Sequence, residues 1–363
     1  MQPLSGPRHV VAVLVAMVLV AGCGSATGGS AGSGGVAGAT GSPASSGQNG
    51  QLGQASTGTG ATTAGSFEQI PAIVAQVDPS VVTVIRTDAE GSGVVWSADG
   101  IIVTNNHVVA TDKTVQIVFA DGTRVDGQVL ATDPLSDLAI VKANRPGLPA
   151  ATFDTTLPPV GSLAIAIGNP LGFENSVTAG IVSGTHRSIP GAAQQAPALV
   201  DLMQTDAAIS PGNSGGALVG ADAHVIGINV AYIPPSGGAV SLGFAIPAPT
   251  VIDVVKQLIS KGHADHAYLG VQSVPLTPQI ARQFGLTAQQ GALVIDVAPG
   301  GPAAAAGIKP GDVIVAIDGS PVNTAEDLLA ALRQHAPGDK VTLRIVRAGN
   351  QRDVPVTLGN FPG

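Results

Sequence analysis

Apolar positions in this chain recur as short, β-branched runs between turn residues, and this pattern begins only at residue 67. Runs at 80–86, 93–96 and 101–104 predict strands, with an Ala-Asp-Gly turn at 98–100 between the last two. No regular alternation with amphipathic helices follows, which disfavours a parallel α/β sheet and favours an antiparallel all-β barrel or sandwich. The remaining strands of this part are predicted at 115–119, 123–130, 138–141, 163–167, 181–183, 217–219 and 225–230.

A helix and a smaller unit follow these strands. An apolar stripe at 250–260, with Gly262 near its end, predicts the helix. A second helix is predicted from about Ala325 to His335, with Thr324 and Asp327 forming a capping box at its start. The second unit is therefore a compact α+β module, whose strands are predicted at 269–274, 292–297, 313–317, 341–347 and 353–358.

The N-terminal residues predict a secretory signal at 1–23. A basic start precedes an apolar run at 10–21, which is shorter than the about 20 residues of a membrane-spanning helix. The end of this segment resembles a bacterial lipobox, in which the cysteine is acylated; the alternative is an ordinary signal that contains a cysteine. Because Cys23 is the only cysteine of the chain, we expect a lipoprotein, held by its acyl chains on the extracytoplasmic side of the cell membrane.

Residues 24–66 contain no charged side chain and consist mainly of Gly, Ala, Ser and Thr. Such small side chains bury too little area to offset the backbone entropy lost on folding, so this segment is predicted to be a disordered linker. Its expected mean span is about 35 Å. The two globular units are then expected at 67–263 and 267–360.

Composition excludes several classes of function. Among 363 residues, 24 are acidic and 16 are basic, so the net charge of −8 argues against a nucleic-acid partner. The single cysteine excludes an intrachain disulfide and a Cys-rich zinc site. The 49 glycines and 27 prolines favour many short strands and turns.

The segment 205–216 places Ser214 among glycines. Glycines on both sides allow a tight turn with an exposed hydroxyl, and they allow backbone N–H groups to converge on one point. A plain turn is the alternative, since Asn, Gly and Ser all form turns. A serine nucleophile also needs a base and a carboxylate that orients the base.

His107, at the end of a predicted strand, is the candidate base, and Asp137, at the start of an apolar run, is the candidate carboxylate. Asp133 is interpreted as a turn residue, and a peripheral role for His186 stays open. The chain order His107, Asp137, Ser214 is that of chymotrypsin-like proteases. The glycines around Ser214 also fit an α/β-hydrolase nucleophile elbow, but that fold needs a helix after the serine, where two strands are predicted.

Six ordered motifs resemble HtrA-type (DegP-like) serine proteases followed by a PDZ domain, over about four fifths of the chain. The resemblance implies a mainly β fold: a chymotrypsin-like double β-barrel at 67–263 and a small α+β PDZ domain at 267–360. Ser210 departs from the family, which more often has Asn there, and we expect a small effect on loop conformation. The motifs are Gly91-Ser92-Gly93, Thr104-Asn105-Asn106-His107-Val108-Val109, Ser136-Asp137-Leu138-Ala139, Ala166-Ile167-Gly168-Asn169-Pro170, 205–218 and Gly243-Phe244-Ala245-Ile246-Pro247.

The resemblance also implies the roles of the site residues. His107, Asp137 and Ser214 would form the triad in the cleft between the barrels, and the N–H groups of Gly212 and Ser214 would form the oxyanion hole. No metal or cofactor is required.

The same resemblance implies a substrate pocket. Its floor would be Ala208, six residues before the serine, and its wall would include Ile228 and Asn229. Because the floor is uncharged, cleavage after Lys or Arg is not expected, whereas cleavage after small or medium aliphatic residues is.

In the second unit, Tyr268, Leu269, Gly270 and Val271 stand where PDZ domains have their carboxylate-binding loop. A peptide C-terminus would add a strand beside this loop, with the helix at 325–335 as the other wall; the alternative is that its leucines are only core. The family further implies a homotrimer and switch loops at 184–199 and 231–241.

The sequence therefore predicts a membrane-tethered serine endopeptidase that cleaves unfolded or misfolded envelope proteins and binds peptide C-termini through its PDZ domain. A non-catalytic PDZ chaperone or adaptor is the alternative, and an esterase is a third possibility.

Overall fold

The computed structural model describes residues 67–169, 176–189, 199–233 and 242–362. The predicted signal with Cys23 and the predicted linker lie outside these residues, as do most of the two predicted switch loops. Within the four ranges, no helix has the length and apolar character needed to cross a membrane.

The first six strands close into an antiparallel barrel in the order β1-β2-β3-β6-β5-β4. Its interior is filled by branched aliphatic side chains such as Val84, Ile102 and Ile117, none of which is exposed. Burying them removes apolar area from water, which is the main stabilising contribution to such a core. The strands are β1 (Val81–Ile85), β2 (Glu90–Val95), β3 (Ile101–Asn105), β4 (Thr114–Val118), β5 (Arg124–Asp133) and β6 (Leu138–Ala143).

The next six strands close a second barrel in the order β10-β11-β12-β9-β8-β7. The predicted double barrel is thus confirmed, although two of its strands were not predicted. β9 is short and lacks a β-branched run, and β12 contains Gly243 and ends at a proline, so neither gives a local strand signal. The strands are β7 (Leu163–Gly168), β8 (Ser176–Arg187), β9 (Leu202–Thr205), β10 (Ala217–Val219), β11 (Val225–Ile233) and β12 (Leu242–Pro247).

Within the described residues, three α-helices accompany the barrels: α1 (Ile70–Val77), α2 (Asn106–Val109) and α3 (Ala248–Lys261). The predicted helix after the barrels is confirmed as α3, which ends at Lys261 and is capped by Gly262 in a left-handed conformation. Apolar side chains of α1, α3 and both barrels form one continuous cluster. This shared cluster joins the two barrels, and close packing of its side chains fixes one barrel against the other.

The last part of the chain is the predicted α+β unit, with its own apolar core. The capping box of Thr324 and Asp327 is confirmed at the start of its longest helix. That helix ends at Leu332 rather than His335, because the N–H groups of Gln334 and His335 bond three residues back in a tight turn. The elements are β13 (Ala267–Tyr268), β14 (Val271–Pro275), α4 (Pro278–Phe284), β15 (Ala292–Val297), α5 (Pro302–Ala305), β16 (Val313–Ile317), β17 (Ser320–Pro321), α6 (Ala325–Leu332), β18 (Lys340–Arg347), β19 (Asn350–Thr357) and β20 (Gly359–Asn360).

Candidate active site

The first barrel brings His107 and Asp137 together. β3 and β6 pair antiparallel with Thr104 opposite Ala139 and Asn105 opposite Leu138. His107 lies just beyond the end of β3, in α2, and Asp137 lies just before the start of β6. Because paired strand ends meet at one edge of a sheet, these two residues become neighbours although 30 positions separate them.

Both carboxylate oxygens of Asp137 contact His107. Oδ2 lies 2.6 Å from the imidazole Nδ1, and Oδ1 accepts the His107 backbone N–H at 2.9 Å. The Asp137 carbonyl accepts the Asn106 N–H and the Asn105 side-chain amide, each at 3.0 Å. The Asp137 side chain is 9% exposed and the imidazole is 50% exposed, so a buried carboxylate contacts an imidazole that is open to solvent on its other side.

Asp137 adopts φ = +55°, in the left-handed region. Aspartate tolerates this region better than most side chains because its short carboxylate can hydrogen-bond locally. The sequence offered no signal for this conformation, which aims the carboxylate back at α2.

Ser214 lies between β9 and β10 of the second barrel, in a loop with Gly212 at φ = +96° and Gly215 at φ = +84°. A Cβ at Gly215 would overlap the carbonyl oxygen of Ser92, so only glycine fits there. The Ser214 hydroxyl donates to the Val230 carbonyl at 3.4 Å, and no hydrogen bond within the described ranges joins it to His107. Catalytic hydrogen bonds often tighten only when substrate binds, and the triad stays a prediction.

The two predicted oxyanion donors, Gly212 and Ser214, lie on either side of Asn213 in the serine loop. Neither the Gly212 nor the Ser214 N–H donates to an acceptor in the part of the chain that the structure describes. Between them, the Asn213 N–H donates to the Ser210 carbonyl at 3.0 Å and closes a turn. Both residues are partly exposed, and N–H groups that have no acceptor among the described residues can bind an anionic oxygen.

The three predicted pocket residues differ in their surroundings. Ala208 is exposed and its carbonyl accepts the Thr178 hydroxyl at 2.7 Å, whereas Ile228 and Asn229 on β11 are fully buried. The Asn229 carbonyl accepts the Gly215 N–H at 2.8 Å, which holds the serine loop on β11. The assignment of these three residues to a substrate pocket stays a prediction.

Two further histidines pair with buried carboxylates. His186 Nδ1 lies 2.7 Å from Asp201, and His266 Nε2 lies 2.9 Å from Asp133. Asp133, interpreted from the sequence as a turn residue, lies four residues before Asp137. It also accepts the Ser136 hydroxyl and contacts His266, so its role extends beyond the turn. Burial opposes the ionisation of Asp133. The hydrogen bond and the charge of His266, together with the hydrogen bond from the Ser136 hydroxyl, nevertheless hold the pKa of Asp133 below its usual value.

The last unit contacts the barrels near these carboxylates. Arg333, just after α6, donates to the carbonyls of Val200 and Leu135 at 2.8 and 2.5 Å. Gln334 donates to Asp201 at 2.7 Å. No local sequence pattern predicts this contact, because the acceptors of Arg333 are carbonyls that lie more than 130 positions away.

A cavity of about 500 Å³ lies between α6 and β14. At one end, Gly270 adopts φ = +80°, and the N–H groups of Leu269 and Gly270 donate to no acceptor in the described ranges. Tyr268 and Val271, the other residues of the predicted carboxylate loop, belong to β13 and β14. Among the described residues, two N–H groups without an acceptor therefore lie at the end of the cavity, and an edge of β14 that pairs with no other strand lies along its side.

Comparison with known proteins matches residues 91–228 to the family described as trypsin-like peptidase domain and residues 267–358 to the PDZ domain. A probable periplasmic serine endoprotease DegP-like of Brucella suis is 42% identical over 280 residues, which cover 76% of this chain and 54% of that relative. The putative serine protease HhoB of Synechocystis is 40% identical over 287 residues, covering 76% of this chain and 68% of the relative. The chain thus spans about half the length of the DegP-like relatives it matches.

The solved structure of HtrA-type protease AlgW with decapeptide covers 80% of this chain and 98% of its own, with a TM-score of 0.64 and 33% identity. The chain belongs to the HtrA-type (DegP-like) serine protease family. In this HtrA-type chain the peptidase match contains His107, Asp137 and Ser214, and the PDZ match begins at Ala267. Within the described residues, no group of three or more His, Cys, Asp or Glu side chains could hold a metal ion.

Proposed function

We propose that this protein is a serine endopeptidase that hydrolyses peptide bonds through an acyl-enzyme on Ser214. The observation that carries the proposal is the Asp137–His107 pair, held by two hydrogen bonds in the same peptidase domain as the glycine-flanked serine. Family membership supports it, because the relatives are named serine proteases.

The chemistry follows from the residue types. Ser214 Oγ attacks the carbonyl carbon of the scissile peptide while His107 Nε2 accepts the hydroxyl proton, and the carbonyl π electrons move to the oxygen. The N–H groups of Gly212 and Ser214 bind that oxyanion; one such donor is typically worth ~10²–10³ in rate. Asp137 keeps the proton on Nδ1 of His107 and stabilises the imidazolium.

The intermediate then collapses to products. The imidazolium gives its proton to the leaving amine as the C–N bond breaks, leaving an ester on Ser214. Water attacks this ester as His107 accepts its proton. The second tetrahedral intermediate then breaks its bond to Ser214 Oγ, which takes the proton back from His107, and the new carboxyl terminus is released.

The proposed substrates are unfolded or misfolded envelope proteins. The name of the Brucella relative places that protein in the periplasm, which agrees with the secretory signal predicted at 1–23. With Ala208 as an uncharged floor and a wall that includes Ile228 and Asn229, cleavage follows small or medium aliphatic residues. Acylation of Cys23 tethers the protein to the membrane, and the working form is a homotrimer.

The PDZ domain is proposed to bind peptide C-termini in the cavity between α6 and β14. The N–H groups of Leu269 and Gly270, which have no acceptor within the described ranges, suit a terminal carboxylate, and the edge of β14 can pair with an added strand. AlgW has been solved with a decapeptide and with a tripeptide, which shows that a family member binds peptides. Such binding recruits substrate or activates the peptidase.

A fluorophosphonate probe and a denatured protein substrate test the endopeptidase. We expect the probe to label Ser214. In Ser214→Ala, we expect no label, and kcat for proteolysis should fall by up to ~10⁶. Ser210→Ala, an exposed serine of the same loop, is the matched control and should keep both activities. No adduct under any condition, with peptide binding intact, would favour the PDZ adaptor; turnover of esters but not peptides would favour the esterase.

The tether has a separate test. Cys23→Ala should abolish incorporation of radiolabelled palmitate and move the protein from the membrane fraction to the soluble fraction. Unchanged fractionation of the variant would contradict the lipid anchor while leaving the proposed peptidase activity intact.

A further inference from the structure

We propose that Ser92 is a positioning residue for this peptidase: its buried hydroxyl, on the first barrel, sets the peptide plane between the two oxyanion donors on the second barrel. The inference rests on the proposed role of Ser214. It concerns a different residue and a different step, the geometry of the oxyanion hole.

The Ser92 hydroxyl makes two hydrogen bonds of fixed direction. Its Oγ accepts the Asn169 N–H at 2.9 Å and donates to the Gly212 carbonyl at 2.6 Å. A hydroxyl has one proton, and an N–H can only donate, so the proton of Ser92 must point at Gly212. Ser92 is fully buried, so no water competes for this bond.

The backbone of Ser92 holds the other side of the same loop. Its N–H donates to the Ser214 carbonyl at 2.8 Å, and its carbonyl accepts the buried Thr104 hydroxyl at 2.6 Å. One residue therefore fixes two carbonyls of the loop, one before Asn213 and one after it.

These contacts determine the direction of the oxyanion donors. The peptide plane between Gly212 and Asn213 lies between the planes that carry the Gly212 N–H and the Ser214 N–H. Its carbonyl is held by Ser92 and its N–H by the Ser210 carbonyl at 3.0 Å. A rotation of this plane would change ψ of Gly212 and φ of Asn213, and would turn the neighbouring N–H groups away from a common point.

The support behind Ser92 is rigid. The Asn169 carbonyl accepts the hydroxyl of Thr83, a fully buried residue of β1, at 2.7 Å. The loop lies directly on the backbone of β2, because a Cβ at Gly91 would come within 3.1 Å of the Ser214 carbonyl. The first barrel thus supplies both the base that activates Ser214 and the hydroxyl that orients the oxyanion donors.

The test compares Ser92→Ala with Ser80→Ala, which removes the hydroxyl of another buried serine that lies just before β1 and outside this network. In Ser92→Ala we expect kcat for peptide cleavage and the rate of fluorophosphonate labelling to fall by roughly 10- to 100-fold, less than the ~10²–10³ for deleting a donor. KM should change less than threefold. The midpoint of the pH profile of labelling should not move, because the Asp137–His107 contacts are unaltered, and only its plateau should fall. Ser80→Ala should keep the plateau.

A second variant covers a failure of Ser92→Ala to fold, which unfolding curves would detect. Ser92→Cys keeps a weaker donor and should show an intermediate plateau with the same midpoint. A folded Ser92→Ala or Ser92→Cys with an unchanged plateau overturns the inference, and so does an equal loss in Ser80→Ala or a shifted midpoint. Each variant is compared with the wild-type protein. If the wild-type protein itself were not labelled, the proposed function would be contradicted, not the role of Ser92.

Discussion

The carboxylate of Asp137 holds His107 at two points, the imidazole Nδ1 at 2.6 Å and the backbone N–H at 2.9 Å. The contact with the backbone N–H fixes the carboxylate against α2. The carboxylate therefore stays beside the ring even without its hydrogen bond to Nδ1. A substitution at Asp137 can therefore change the tautomer of His107 without displacing α2.

Asp137→Asn should lower kcat at neutral pH by ~10⁴, because an amide can donate to Nδ1 and thereby stabilise the wrong tautomer. KM for a peptide substrate should change little. Steady-state kinetics on a fluorogenic peptide measures both constants. Asp121→Asn, at an exposed pair with Arg145 in the same barrel, is the control and should remain within twofold of wild type; a variant of Asp137 that retains a tenth of kcat would contradict the assignment.

Gly215→Ala should abolish labelling of Ser214, because the added Cβ would overlap the Ser92 carbonyl and displace the serine loop. Gly122→Ala is a matched control: Gly122 also has positive φ, +77°, but nothing lies within 4 Å of the position that an added Cβ would take. Each variant bears a backbone strain of about 1–2 kcal/mol. If the two lost activity equally, strain rather than the close approach to β2 would be responsible.

Asp133→Asn should destabilise the protein at pH 7 by about 1–3 kcal/mol, the usual cost of disrupting a buried, charge-assisted hydrogen bond. Because the native pKa of Asp133 lies below its unfolded value, its contribution is complete above about pH 3.9 and is lost as the pH falls through the native pKa. The stability difference between wild type and variant should therefore shrink in strong acid. Urea unfolding at pH 7, 4 and 3 measures it, and a difference that grows on acidification would contradict this account.

Arg333→Ala should increase hydrogen exchange of amides at 133–137 and 200–202, since it removes donors from the Leu135 and Val200 carbonyls. Burial lowers the pKa of Arg333, partly offset by the charges of Asp201 and Asp133. Arg333→Lys should not restore protection, because one ammonium lacks the planar fork that reaches both carbonyls. Arg352→Ala, an exposed arginine on β19, is the control; unaltered exchange in Arg333→Ala would show that the contact is dispensable.

Much of the fold was predictable because its signals are local. Alternating β-branched runs and turn residues located ten of the twelve barrel strands, and the capping box of Thr324 and Asp327 located the start of α6. β9 and β12 were missed because their strand state is imposed by barrel closure rather than by their own residues. The same limit applies to β8, where Gly180 and Gly184 interrupt the pattern of a strand that runs from Ser176 to Arg187.

By itself, the sequence determined the β-rich architecture, the α+β unit after it and the family, because apolar periodicity and ordered motifs depend only on residues that are close together in the chain. Only the tertiary structure decided three contacts. Asp137 bonds both the ring and the backbone N–H of His107 in α2. The Ser92 hydroxyl donates to the Gly212 carbonyl 120 positions away, and Arg333 donates to the Leu135 carbonyl 198 positions away. In each of these contacts, a carboxylate, hydroxyl or guanidinium group forms a hydrogen bond with a backbone N–H or carbonyl group. Every residue carries a carbonyl, and nearly every residue an N–H, so no residue type marks the partner, and only folding brings it within reach.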